Sequence, residues 1–397
     1  MKKRLKRLLV FLLVPLLLIF LLIFYIISLS NTQYSSEDTS TKEAVKDLVT
    51  DADAALSGFR EASKNPEFRF TVLDVGQGLC CIMQSRGETL IFDGGDRSTS
   101  SKVVSYCKER GISDIKYMVA SHYHSDHIYG LVGLIKSGVT VENLIAPSYE
   151  TDSYAKTALL QLVDNEKIIT PYPEQVFQIG GITARCICPV TDDYSDDNGY
   201  SVGFIFEYDG LKILVDGDAT SESETDMLSA DEDLSANILV VPHHGSTYSS
   251  SAEWLDKVKP SIAVISCGAN NEYFHPHFDT LNRLKDCGVK NLYRTDLNGD
   301  VVIDYRDQVI TVDTQKKAPS EELWKQGEGP EDEAINRSSM WDAKNSKSEA
   351  YYIGNKYSKK FHRSTCSQLP DEDKRVLLSD RETALQEGYL PCSVCDP

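Results

Sequence analysis

Seven of the eight histidines in this chain fall into three short clusters, two of them directly after an apolar run. The densest is Ser-His-Tyr-His-Ser-Asp-His at 121–127. The others are the pair His243 and His244 and the pair His275 and His277, and His362 stands apart. Strand ends are where rigid elements deliver side chains into a cleft. Imidazoles at i and i+2 leaving a strand can converge on one ion, and Asp126 and His127 can then turn toward a second. Imidazole with carboxylate suits zinc, and a carboxylate-rich site also accepts manganese. Two such ions roughly 4 Å apart would polarise a phosphoryl or carbonyl oxygen and bring the pKa of bound water from near 15.7 to roughly 7. A chain built around such a site must bring several strand ends to one edge.

The apolar patterning predicts many short strands first and mixed units later. Strands are expected over 68–75, 79–84 and 89–92, a helix over 101–110, strands over 116–120 and 141–145, and a helix over 155–165. A hairpin is expected over 202–208 and 211–215, turning at Asp209-Gly210. Strands 238–241 and 262–266 flank a helix at 252–258. A helix over 278–287 and strands near 301–304 and 309–312 close the block. This order implies two mixed sheets with helices outside. Two carboxylates also end strands: Asp93 opens Asp-Gly-Gly, and Asp218 closes Val-Asp-Gly-Asp. Turn aspartates beside glycine are common, but beside the histidine clusters both become candidates for the site.

The flanks are of another kind. A basic start is followed by residues 8–27, twenty positions without a charge. As a helix they span roughly 30 Å, the thickness of a bilayer core. The expected anchor is 1–30, single-pass, with the rest outside the cytoplasm. Cleavage at Ser28-Leu29-Ser30 would instead make the protein secreted. Residues 31–66 read as a polar stalk, 67–313 as the catalytic domain, 314–349 as a charged linker and 350–397 as a small module. The net charge is −19, and −24 without Lys2, Lys3, Arg4, Lys6 and Arg7. Such acidity argues against broad adhesion to nucleic acid, which needs Lys and Arg against phosphate. It does not exclude a nuclease whose bound metals supply positive charge. Of ten cysteines, most of Cys80, Cys81, Cys107, Cys186, Cys188, Cys267 and Cys287 read as buried hydrophobes.

His-x-His-x-Asp-His after a strand resembles the signature of the metallo-β-lactamase superfamily. Asp74-Val-Gly-Gln-Gly78, Asp93-Gly-Gly95, Gly217-Asp218, Pro242-His-His-Gly-Ser246, His275-Pro276 and Tyr293-Arg-Thr-Asp296 come in the order of the soluble domain of ComEC-type DNA-uptake proteins. The resemblance covers about 67–313, without the many-pass channel of that family. It implies an αββα four-layer sandwich with two divalent metal ions, zinc or manganese. His122 and His124 would bind the first ion, Asp126 and His127 the second, and Asp218 would bridge them. One of His243 and His244 would complete a shell and the other would contact substrate. Asp93 and Asp74 would support ligands from behind, Asp126 would be essential to catalysis, and His275 would be a ligand or a general acid. Two departures stand out: no histidine occurs from 128 to 242, where Asp197 or Asn198 would have to substitute, and Leu79 stands where the family has an acid.

In the tail, His362, Cys366, Cys392 and Cys395 have the spacing of a structural zinc site, with a Cys392–Cys395 disulfide as the competing reading. The segment resembles Ada-like zinc-binding modules. The leading expectation is a membrane-anchored, extracytoplasmic phosphodiesterase whose substrate is a phosphoester such as DNA. A phosphocholine esterase, a lactonase, and a non-catalytic DNA-uptake binding module are the alternatives. No protein partner is identifiable.

Overall fold

The computed structural model describes residues 66–230 and 232–329, and in the tail 352–363, 369–370, 374–378, 384 and 389–392. The expected anchor and nearly all of the stalk lie outside the described residues. Among the described residues no helix is long and apolar enough to cross a membrane.

Strands β1 (Arg69–Val72), β2 (Cys81–Ser85) and β3 (Glu88–Phe92) form an antiparallel meander. Helix α1 (Ser100–Glu109) crosses to β4 (Asp114–Val119), which runs parallel to β3. Helix α2 (Ser125–Lys136) leads to β5 (Thr140–Ile145), and α3 (Tyr154–Leu160) to the short β6 (Ile168–Ile169), both added in parallel. The second sheet begins with an antiparallel run, β7 (Val176–Ile179), β8 (Ile182–Cys188), β9 (Gly203–Tyr208) and β10 (Leu211–Val215). Helices α4 (Ser221–Ser229), α5 (Ala252–Val258) and α6 (Phe278–Asp286) then connect parallel strands β11 (Ile238–Val240), β12 (Ile262–Ile265) and β13 (Asn291–Arg294). After α7 (Thr295–Asn298) the chain returns to the first sheet as β14 (Val301–Arg306), against β1, and β15 (Val309–Thr314).

Alternation along each strand makes the layers. Phe70, Met83, Phe92, Phe204, Ile213, Val215 and Val264 meet between the sheets in one buried core. Their neighbours face outward: Ile82 and Ile91 pack under Val103, Leu131 and Leu134 of the first helices. Leu214, Ala263 and Ile265 pack under Met227, Trp254 and Leu281 of the later ones. Helix, sheet, sheet, helix is the only stacking that buries both faces of both sheets.

Several expectations need correction. The helix expected over 155–165 stops at Leu160, because Asp164 turns extended before a separate tight turn at Asn165–Lys167. No strand was expected between 165 and 202, yet β6, β7 and β8 lie there. Val176, Phe177, Gln178 and Ile179 alternate exposed and buried ahead of a Gly180-Gly181 turn, so the period-two signal was present. Helix α4 and strand β13 were also missed. The start of the expected linker is docked on the domain. Leu323 and Trp324 pack on the outer core. The Arg294 guanidinium donates to the carbonyls of Leu323 and Lys325, and Gly327 N donates to Pro276 O at 2.9 Å. Its charged composition concealed two apolar residues.

One glycine contact sets the position of α2. Gly94 N donates to His127 O at 2.7 Å, and a Cβ on Gly130 would lie 1.8 Å from the Gly94 carbonyl oxygen. The turn after β3 therefore touches the helix that follows the histidine motif, backbone on backbone. Gly130→Ala is expected to destabilise the fold by about 3 kcal/mol through overpacking. Urea denaturation checks this, and an unchanged midpoint would show that the two backbones are not pressed together.

Candidate metal centre

The predicted residues come from the C-terminal ends of neighbouring strands. Asp93 follows β3, the 121–127 segment follows β4, Asp218 follows β10, and His243 and His244 follow β11. His122, His127 and Asp218 have donor atoms within 4.8 Å of one another, and so do Asp126, His127 and His244. His127 Nε2 is 3.3 Å from Asp218 Oδ2 and 3.8 Å from Asp126 Oδ2. His244 Nε2 is 3.3 Å from Asp218 Oδ2 and 3.5 Å from Asp126 Oδ2. His243 Nε2 is 4.0 Å from Asp218 Oδ2. His124 packs edge-on to His122 with ring centroids 4.5 Å apart, outside both tight groups. His127 thus joins both groups, whereas the expected division put it with Asp126 alone. His243 and His244 both have positive φ, 53° and 57°. Left-handed backbone costs roughly 1–2 kcal/mol per non-glycine residue, and here it turns two successive imidazoles into the site region.

Hydrogen bonds fix which nitrogen of each ring carries the proton. Asp93 is fully buried and accepts from Ser121 N, Ser121 Oγ and His127 Nδ1, each at 2.7 Å. His127 therefore carries its proton on Nδ1. The Ser121 hydroxyl, having donated to Asp93, can only accept from His122 Nδ1 at 3.0 Å. His244 Nδ1 donates to the Ser266 carbonyl at 2.9 Å. In their neutral form all three rings keep a lone pair on Nε2. Those three atoms and Asp218 Oδ1 are buried without a hydrogen-bond partner. Buried polar atoms left unpaired are rare and call for an ion or a water. Imidazole nitrogens with carboxylates fit a divalent cation.

Burial lowers His127 and His244, but the carboxylates outweigh it, Asp218 first, and raise both, His244 to about 10, so without an ion these rings hold protons on Nε2 that a cation would displace. Burial pushes Asp218 and Asp126 upward, but surrounding imidazoles outweigh it, His127 first, and hold both below the ordinary carboxylate range. Asp93 is pushed up by burial, with His127 and its hydrogen-bond donors opposing.

Not every predicted residue takes part. Asp74 supports no histidine: its carboxylate accepts from Gly76 N and faces Lys102, so it shapes the turn before Gln77. Asp197 accepts from Thr151 and is engaged there. Asn198 is buried with Oδ1 unpartnered, in the same turn that leads to Ser201. Ser201 Oγ lies 3.5 Å from His122 Nδ1 and accepts from Asp218 N at 3.1 Å. Ser201 thus contacts the cluster in the stretch where the sequence has no histidine. His275 lies with its ring 5.8 Å from that of His243 and 6.2 Å from that of His244. His277 is structural, accepting from Thr247 N and donating to Tyr273 O. Ser121, Ser201 and Ser266 were not singled out, since a serine adjoining a histidine carries no distinctive spacing. Cys80, Cys81, Cys107, Cys186, Cys188 and Cys267 are buried thiols, as expected. In the tail, His362 on β17 (Lys360–Arg363) and Cys392 after β19 (Leu390–Pro391) are buried side by side, with Cys392 N donating to Phe361 O. There β16 (Tyr352–Asn355) pairs with β17 and with β18 (Arg375–Leu378). Cys366 and Cys395 lie outside the described residues.

The loop carrying His243 and His244 is pinned from below. Glu224 on α4 is buried and accepts from Ser250 N and Ser251 N. Arg283 donates to the carbonyls of Thr247 and Ser249.

Two helix-flanked sheets with a histidine–aspartate cluster at their strand ends define a metallo-hydrolase fold. Residues 73–269 match the profile of the metallo-beta-lactamase superfamily, and the chain carries a metallo-β-lactamase domain over them. It is similar to ComE operon protein 3 of Bacillus subtilis (strain 168), 27% identical over 260 residues, 60% of this chain and 33% of the relative. It is also similar to competence protein ComA of Neisseria gonorrhoeae, 32% identical over 252 residues, 62% of this chain and 34% of that one. The chain thus spans about a third of the length of these curated relatives. Among solved structures, the metallo-beta-lactamase fold protein YhfI of Bacillus subtilis is 14% identical, with a TM-score of 0.39, 62% of this chain and 100% of that chain covered. The resemblance to competence proteins drawn from the motifs is borne out.

Two predictions follow from the hydrogen bonds. Asp93→Asn replaces an acceptor with a donor on one side and releases His127 or Ser121. Metal affinity is expected to fall about 10–100-fold with the fold retained, as chelator competition would measure; unchanged affinity would mean Asp93 does not orient the cluster. Burial pushes Glu224 from its ordinary 4.5 up to about 7, against the hydrogen bonds from Ser251 and Ser250. A raised folded-state pKa means the folded protein holds a proton the unfolded chain has lost. This stability is fully present below about pH 4.5 and lost as pH rises through about 7, about 3 kcal/mol in all. Urea midpoints should fall between roughly pH 5 and pH 8, and Glu224→Gln should flatten that slope.

Proposed function

We propose that this protein is a metal-dependent phosphodiesterase, acting outside the cytoplasm on a phosphodiester such as DNA. One observation carries the hydrolase reading: the Nε2 atoms of His122, His127 and His244 and Oδ1 of Asp218 are buried without a hydrogen-bond partner among the described residues, in a cluster that Asp126 joins. His122, His127 and Asp218 would hold one cation, and Asp126, His127 and His244 the other. His127 has one lone pair, on Nε2, and would ligate only one of the two ions; the other would draw on Asp218 or His243 in its place. Two divalent cations, zinc or manganese, would supply Lewis-acid polarisation and a nucleophile from water at neutral pH.

The protein's own residues set the rest. Asp93 and the Ser266 carbonyl hold the ring protons away from the centre. Asp126, with its side chain 29% exposed, is the carboxylate of the cluster open to an incoming substrate. The competence names of the relatives support nucleic acid over phosphocholine or a lactone. The ordered tautomers support catalysis over a decayed binding module, since a decayed site has no need to keep them. In the tail, His362 beside Cys392 supports a structural zinc completed by Cys366 and Cys395.

The test loads the protein with Zn²⁺ or Mn²⁺ and compares single-stranded DNA, bis-p-nitrophenyl phosphate, p-nitrophenyl phosphocholine and a lactone. Turnover of the first two is expected, with Asp126→Ala lowering it about 100-fold or more. Metal binding without turnover of any would end the enzymatic reading for these substrates. Activity surviving in Asp126→Ala would place the site elsewhere.

A further inference from the structure

We propose that Gln77 fixes His275 in the tautomer opposite to that of the cluster histidines, making His275 a hydrogen-bond donor to the substrate and not a metal ligand. The substrate half of this rests on the phosphodiesterase reading; the tautomer half does not.

The proton count is closed at each step. Gln77 Oε1 accepts from Gly268 N at 3.1 Å. A backbone amide only donates, so the side-chain oxygen must be on that side. Gln77 Nε2 then faces His275 Nδ1 at 3.3 Å. An amide NH₂ only donates, so Nδ1 must accept. A neutral imidazole that accepts at Nδ1 carries its proton on Nε2. Neither nitrogen then has a lone pair for a cation. His122, His127 and His244 are the reverse: each donates at Nδ1 and keeps Nε2 open.

The surroundings hold this arrangement in place. The His275 backbone is clamped at both ends by Asn271, which accepts from His275 N at 2.9 Å and donates to His275 O and Gly268 O at 2.8 Å. The His275 ring is near-parallel to those of Tyr273 and His244, with centroids 5.5 and 6.2 Å away. The Gln77 loop is fixed from both sides. Gly78 O accepts from Ser266 Oγ at 2.7 Å, and a Cβ on Gly78 would sit 2.3 Å from Asp126 O. Gln77 therefore bridges the loop after β1 and the loop after β12 as a positioning residue. A fixed N–H beside the cluster suits an oxygen that gains charge in the transition state, and one such donor is typically worth 10²–10³ in rate.

The experiment uses the zinc-loaded full chain with ¹⁵N-labelled histidine and reads ring-nitrogen shifts and metal content. Wild type should show His275 protonated at Nε2 and unprotonated at Nδ1. Gln77→Glu, isosteric and half-buried, offers only acceptors, so the His275 proton should move to Nδ1. His275→Ala should keep its full zinc content, whereas His244→Ala should lose zinc. Against bis-p-nitrophenyl phosphate, His275→Ala should lose about 100-fold in kcat with KM little changed, and His275→Gln should restore part of it. A zinc-bound Nε2, a wild-type proton on Nδ1, or zinc lost from His275→Ala would overturn the proposal. If no substrate turns over, the phosphodiesterase reading falls, and the shifts and zinc content still decide the tautomer.

Discussion

A carboxylate sealed from solvent is tolerable only when its lone pairs are taken, and Asp93 takes three donors from one neighbouring segment. That requirement reaches outward. The donors come from Ser121 and His127, which follow β4, and Asp93 follows β3. The two strands are parallel neighbours with Phe92 opposite Val119, and Asp93 N continues the ladder onto Val119 O. A shift of register by one residue would turn Asp93 away from Ser121 and leave a charge buried alone. The same bonds settle the proton on His127 directly and on His122 through the serine hydroxyl. Sheet register and metal-binding chemistry are thus one constraint seen at two scales.

The histidines sort by what occupies their Nδ1. An acceptor, whether carboxylate, hydroxyl or carbonyl, leaves Nε2 free to ligate. A donor does the opposite, as at His275. His277 has both nitrogens committed to backbone and belongs to the scaffold. Clustering in sequence does not distinguish these three roles; the partner at the far nitrogen does. This is why second-tier hydrogen bonds tune metal sites as strongly as the ligands themselves.

The same point explains what the sequence made legible. The four-layer architecture was readable because apolar alternation and Gly-rich turns are local signals, and β9, β10 and α5 fell close to where they were expected. His122, Asp126, His127, Asp218 and His244 stood out because ligand types recur at strand ends, and the fold brings them together. What escaped was set by contacts distant in the chain. Gln77 meets Gly268 and His275 across nearly two hundred positions. Ser201 reaches His122 from the next sheet. Asp74, expected beside a histidine, is drawn to Lys102 and its own turn. Serine, glutamine and a turn aspartate are too common for spacing alone to assign them. The end of the domain was misread for a related reason: two apolar residues, Leu323 and Trp324, anchor a stretch whose composition is that of a linker.

The acidity of the chain bears differently on the proposed function once the site is in view. A net charge of −19 spread over a surface acts weakly at a distance, because screening falls off over roughly 8 Å at physiological salt. Within the cluster, Asp126 and Asp218 are two negative charges, and two divalent cations would bring four positive ones, so the local sign would reverse. An anionic ester would then be drawn in over the last few ångströms, by the cations and a donor such as His275, and not steered from afar. Such a site would need no basic surface to hold a phosphodiester, but without its metals it would present two carboxylates to one. Substrate binding and metal occupancy are on this reading a single equilibrium, and Asp93, buried at its base, governs both.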